Sequence, residues 1–193
     1  MLGSGINSAM VPPRPCLPRL FPWRFVPFPV VDETRVALNT LVIGYGNTLR
    51  GDDGVGYRLA EAVENWGLSQ VEAYPCHQLT PDVAAQLAEQ DRVIFVDAAQ
   101  PQSPPSPLIL ARISPRSDSA PTFTGHYSHP ADLLALTQQL YGRQPLAYTL
   151  LLPTTAMGYG ETLSPLAETG LQQGLRWLRT WLEAPPDARH HPL

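Results

Sequence analysis

Leu41-Val42-Ile43-Gly44-Tyr45-Gly46-Asn47-Thr48-Leu49-Arg50-Gly51-Asp52-Asp53-Gly54-Val55-Gly56 is the stretch that decides the fold. Its apolar opening, Leu41 to Ile43, has the character of a buried parallel strand. A glycine-dense loop with two adjacent carboxylates follows, and a helical pattern begins after it. In open α/β sheets the ligand site lies beyond the carboxyl ends of the strands, so this loop is where chemistry is expected.

A dinucleotide site fits the stretch poorly. Gly44-x-Gly46 follows a strand, but position 49, where the third glycine of the fingerprint belongs, is Leu49. Asp52 and Asp53 would also occupy the positive helix pole that a pyrophosphate needs. A cation suits the loop better, because its charge lets two acids share a small volume. The plainer alternative is that one of the two aspartates is a helix N-cap, a common use of Asp.

Outward from the loop, Val55, Leu59, Ala62, Val63 and Trp66 form one helical stripe, closed by Gly67. Gln70 to Cys76 reads as a second strand. Thr80 and Pro81 then supply an N-cap and a first helical position, before an apolar face of Val83, Ala84, Leu87 and Ala88. Arg92 to Ala98 is the cleanest buried strand. If it runs parallel to the first, Asp97 at its end shares the carboxyl edge with Asp52 and Asp53; alternatively, Asp97 only satisfies loop N–H groups. The proline-rich link from Gln100 to Pro107 is too short for a parallel crossover, so Leu108 to Ile113 is expected to be an antiparallel strand.

Ser114 to Ser128 is a long polar loop carrying His126, which is either a functional group or plain surface. Pro130 opens a helix with Leu133, Leu134, Leu136 and Leu140, ended by Gly142. Leu146 to Leu152 is a fifth strand, and the glycine-bearing loop from Pro153 to Leu163 returns to the carboxyl edge. Ser164 and Pro165 cap the final helix, with its stripe of Leu171, Leu175, Leu178 and Leu182. Residues 37–184 thus read as a single α/β domain. Residues 1–36, with seven of the 22 prolines, read as an irregular extension, and 185–193 as a frayed tail.

Composition narrows the function classes. The 193 residues are 44% hydrophobic and 16% charged, which suits one compact core. A net charge of −4 without a basic stripe gives nucleic acid nothing to bind, and no apolar run is long enough to span a membrane. Cys16 and Cys76 make neither a disulfide framework nor a zinc spacing, so a reducing, cytoplasmic setting is expected. His-Glu-x-x-His and Gly-x-Ser-x-Gly are both absent. Cys76 and His77 are neighbours on a strand and point to opposite faces, so they cannot pair as nucleophile and base.

Gly44-x-Gly46-Asn47 with Gly51-Asp52-Asp53-Gly54-Val55-Gly56, the strand ending in Asp97, and His126 before a leucine-rich helix together resemble the hydrogenase maturation proteases. These endopeptidases remove a C-terminal extension from the large subunit of nickel–iron hydrogenases. The resemblance spans about residues 38 to 183. It implies a three-layer sandwich, a twisted, mostly parallel five-stranded sheet with helices on both faces. It also implies a metal-contacting site of Asp53, Asp97 and His126, with His129 as the competing histidine, and assigns the same three residues to catalysis. The metal it implies is nickel, supplied by the precursor, although other divalent ions suit two carboxylates and an imidazole. The implied partner is the hydrogenase large-subunit precursor and the expected state a monomer. Two other readings stay open: a non-catalytic nucleotide-binding or scaffold module, and a maturation factor that binds the precursor without cutting it.

Overall fold

The computed structural model describes residues 38–105, 107–116 and 129–183. The extension 1–36, His126 and the tail 185–193 lie outside these residues.

Five strands form one sheet: β1 (Thr40–Tyr45), β2 (Val71–Cys76), β3 (Arg92–Ala98), β4 (Ile109–Ile113) and β5 (Leu146–Leu152). Their order is β2-β1-β3-β5-β4. β1 pairs in parallel with β2 and β3, and β3 with β5, while β4 runs antiparallel to β5, as the short proline-rich link requires. Because β2 and β3 lie on opposite sides of β1, the chain leaves the carboxyl ends of β1 and β3 in divergent directions. That crevice is where open α/β sheets take their ligands.

Alternation along the strands sorts the core into two layers. Val42, Ile94, Val96, Leu150 and Leu152 face one way, toward α1 (Val55–Glu64) and α4 (Pro165–Glu183). Leu41, Ile43, Val93, Phe95 and Ala147 face the other way, toward α2 (Val83–Ala88) and α3 (Pro130–Tyr141). Each of these buried Val, Leu, Ile and Phe side chains contributes about 1.5–3 kcal/mol. The result is the expected three-layer sandwich.

Three local expectations need correction. In α1 the buried partner is Ala60 rather than Ala62. The helix sits so close to β1 that a Cβ on Gly44 would run into the Gly56 carbonyl and the Ala60 methyl, which centres the packed face on 56 and 60. Helix α2 starts at Val83, not Pro81, and has no side-chain cap. Thr80, Pro81 and Asp82 instead form tight turns, their carbonyls accepting from the N–H groups three residues on. In α3, Leu140 is 60% exposed and does not join the helix's buried face. Pro130 at the start and a left-handed Gly142 at the end bound that helix as expected.

Candidate active site at the carboxyl edge of the sheet

Between β1 and α1 the chain folds back on itself. Gly46 has φ 139°, and a side chain there would collide with the Asp53 carbonyl. The loop is closed by the Asn47 N–H, which donates to Asp53 Oδ2 at 3.1 Å, while Asn47 Oδ1 accepts from the Leu49 N–H at 2.9 Å. Asn47 therefore supports its own turn with its side chain and aims Asp53 with its backbone. Gly44, Gly46, Gly54 and Gly56 all have protein atoms where a Cβ would be. These glycines serve close approach within the chain, which leaves no open phosphate cradle at those positions.

Asp97 ends β3 on the face that also carries Tyr45 of β1 and Cys76 of β2. Its Oδ1 accepts from the Ala98 N–H at 2.7 Å, and the Tyr45 hydroxyl donates to the same carboxylate. Burial pushes the Asp97 carboxyl above its usual range. The hydrogen bonds from Tyr45 and Ala98 oppose that shift, the Asp53 charge adds to it, and His129 counters it. Burial and the Asp97 charge likewise drive the Tyr45 hydroxyl far up, so it stays a donor. Asp53 and Asp97 thus feel each other across the β1/β3 crevice, and a half-buried carboxylate facing a second one favours a cation.

His129 is the N-cap of α3, its Nδ1 accepting from the Ala131 N–H at 3.3 Å. His126, the histidine matched to the family pattern, lies outside the described residues. Among the described residues no group of three His, Cys, Asp or Glu side chains converges as a metal cage. Burial pushes the Cys76 thiol up to about 11, offset only in part by the Gln78 N–H. It is no thiolate near neutral pH, and His77 is exposed with its ring 5.5 Å from that of Tyr57.

Asp52 is the residue whose task the sequence did not reveal. It is 1% exposed, yet it caps neither the Gly51–Gly54 3-10 turn nor α1. Its Oδ2 accepts from the Thr155 N–H at 2.8 Å, the Thr155 hydroxyl at 3.2 Å, the Ala156 N–H at 3.2 Å and the Ser164 hydroxyl at 2.8 Å, and its Oδ1 from the Ser164 N–H at 2.7 Å. Burial alone would raise its pKa, but the donors from Ser164, Thr155 and Ala156 outweigh it and hold the carboxyl below the usual range. Ser164 passes the connection on, because its Oγ also accepts from the Ala167 N–H in the first turn of α4. Backbone bonds reinforce the join: Gly51 N–H to the Gly160 carbonyl, Gly160 N–H to that of Leu49, and Asp52 N–H to that of Ala156. A glycine-bearing loop before a Ser-Pro helix start was visible in the sequence; that it would meet Asp52 was not.

No family model matches the chain. It is 29% identical over 160 residues to the hydrogenase expression/formation protein HupD of Rhodobacter capsulatus, a match covering 73% of this chain and 71% of that protein. The [NiFe] hydrogenase maturation protease HycI of Thermococcus kodakarensis superposes with a TM-score of 0.62 at 20% identity, over 76% of this chain and 94% of that one. The hydrogenase maturating endopeptidase HybD of E. coli gives 0.59 at 22% identity, over 78% and 99%. At such identities the two structures speak for the fold, while HupD and the ordered motifs speak for the sequence. Taken together, motif order, sequence likeness and fold make the chain similar to the hydrogenase maturation proteins, with a fold shared with the maturation proteases.

Proposed function

We propose that the protein is the endopeptidase that removes the C-terminal extension of a nickel–iron hydrogenase large-subunit precursor after nickel insertion, with Asp53, Asp97 and His126 contacting the precursor's metal. The observation that supports this reading is that the Gly51–Gly54 turn bearing Asp53 and the end of β3 bearing Asp97 lie at one carboxyl edge of the parallel sheet, where burial and the Asp53 charge hold the Asp97 carboxyl above its usual range. A divalent ion brought by the substrate offsets both. Two carboxylates and one imidazole leave coordination positions for the ligands the ion already has, which suits a site that recognises a loaded client. Bound there, nickel supplies a recognition handle or a Lewis acid.

The chain's own residues do the aiming. The Asn47 N–H orients Asp53, and the Ala98 N–H and Tyr45 hydroxyl orient Asp97. His129, at the N-cap of α3, is the competing third group. The same reading has the enzyme act as a cytoplasmic monomer. No helix among the described residues is long and apolar enough to cross a membrane.

Purified protein mixed with nickel-loaded and nickel-free precursor tests the proposal by mass spectrometry. Loss of the tail only from the loaded precursor is expected. An intact loaded precursor would sink the peptidase assignment, and equal cleavage of both would remove nickel from it.

A further inference from the structure

We propose that Asp52 is a positioning residue for the site: fastened by Thr155, Ala156 and Ser164, it fixes the rotation of the Gly51–Gly54 turn and so aims the Asp53 carboxylate next to it. The catalytic half of this inference rests on the peptidase reading above. The structural half does not.

Successive side chains in a 3-10 helix are about 120° apart, so pinning one of them sets the direction of the next. Asp52 is pinned by five hydrogen bonds between 2.7 and 3.2 Å, all from residues more than a hundred positions away. Asp53, by contrast, has one hydrogen bond among the described residues, from the Asn47 N–H. The turn they share has no side-chain cap of its own. The orientation of the less restrained carboxylate is therefore inherited from the more restrained one. The glycines around the turn contribute no side-chain packing to hold it. What Asp52 adds is a fixed point outside the loop, on the segment that leads into α4.

Asparagine cannot take over. With its oxygen in the place of Oδ2, its amide faces the Ser164 N–H, donor against donor. Flipped, that amide faces the Thr155, Ala156 and Ser164 donors instead.

Amide hydrogen exchange on the full-length protein reads the orientation of Asp53 without any substrate, because the Asn47 N–H is the group Asp53 protects. In Asp52→Ala the amides of Thr155, Ala156, Ser164 and also Asn47 should exchange at least about tenfold faster, with those of β3 unchanged. Asp52→Asn serves if the alanine variant does not fold. Asn47 protected as in the wild type while Thr155 and Ser164 speed up would overturn the inference, since Asp52 would then only fasten a loop. For the catalytic half, kcat on the nickel-loaded precursor should fall about 10²-fold with KM within about threefold, as for a misplaced group. Val63→Ala, a core change in α1, is the stability-matched control and should keep its kcat. Full activity with a freed Asn47 amide would overturn that half. A wild-type protein that cuts no precursor would instead overturn the peptidase reading, with the Asn47 amide still deciding the role of Asp52.

Discussion

Two acids at one edge of the sheet are treated in opposite ways. Asp52, in the loop after β1, is sealed from solvent and surrounded by donors, so its charge is stabilised. Asp97, at the end of β3, has among the described residues the Ala98 N–H, the Tyr45 hydroxyl and the nearby His129 against burial and the Asp53 charge, and burial prevails, so its charge is strained. Burial is common to both. What differs is the supply of N–H and O–H groups, and that supply separates a stabilised acid from a strained one.

The largest expected effect lies on the strained side. Asp53→Ala, Asp97→Ala and His126→Ala should each lower precursor cleavage by about 10²-fold or more, the scale of a lost catalytic group. Melting temperature should stay the same or rise slightly for the two aspartates, because a repulsion is relieved. Cleavage assays and thermal melts on the same preparations check this; a dead variant that has also unfolded would not count in favour of the site. His129→Ala belongs in the same series. Activity lost there and kept in His126→Ala would transfer the third role to the N-cap of α3.

On the stabilised side, Asp52→Ala leaves several donors without their acceptor and should cost about 2–4 kcal/mol, more than a lost helix cap. Urea titration measures it. The pH dependence carries the sign. Because the folded-state pKa of Asp52 is depressed, its contribution is fully present above the unfolded-state value and disappears as pH falls through the lower folded value. The wild type's advantage over Asp52→Ala should therefore persist at pH 5 and shrink only below the ordinary carboxylate range. If the gap closed near neutral pH instead, the stabilised-acid half of the comparison would be lost.

Asp97 should behave in the reverse sense. Its folded pKa is raised, so the ionised form costs stability at neutral pH and the cost vanishes below the unfolded-state pKa. Asp97→Asn should melt a few degrees higher than wild type at pH 7, and the two should converge in acid. Identical melting at pH 7 would mean that Asp97 is not strained. Smallest of all is the effect of removing residues 1–34: cleavage and melting should not change, because that segment shows no apolar period with which to form a layer. A truncated protein that precipitates would contradict this.

Much of this architecture was legible because it rests on local pattern. The bounds of β3 and β5 follow from apolar runs, α3 from Pro130 and Gly142, and the antiparallel β4 from a link too short for a crossover. The placing of Asp53 and Asp97 at one edge followed from parallel pairing. The partners of Asp52 were not legible, for a physical reason. An Asp before a helix looks like a cap in any local window, whereas its actual donors lie 103 to 112 residues further on. Ala60 in place of Ala62 is a similar case, since the rotation of α1 is set by how closely Gly44 and Gly56 let it approach. Tyr45 at the site was hidden in the same way, as the variable position of a glycine motif. Only the pairing of strands shows that it faces Asp97.

The tie between Asp52 and Ser164 also bears on when a nascent chain can become active. Asp52 and Asp53 emerge early in synthesis, with β1 and α1, but the groups that fasten their loop follow β5 and belong to the start of the last helix. Contacts of such long sequence separation form late, after the costly closure of the intervening chain. A partly made chain can pair β1 with β2 and β3 and still have a slack acidic loop, so a fixed orientation of that loop should arrive only once α4 has docked. Ribosome-stalled chains ending before Thr155 should accordingly expose the Asn47 amide to exchange, and chains extended past Glu183 should protect it.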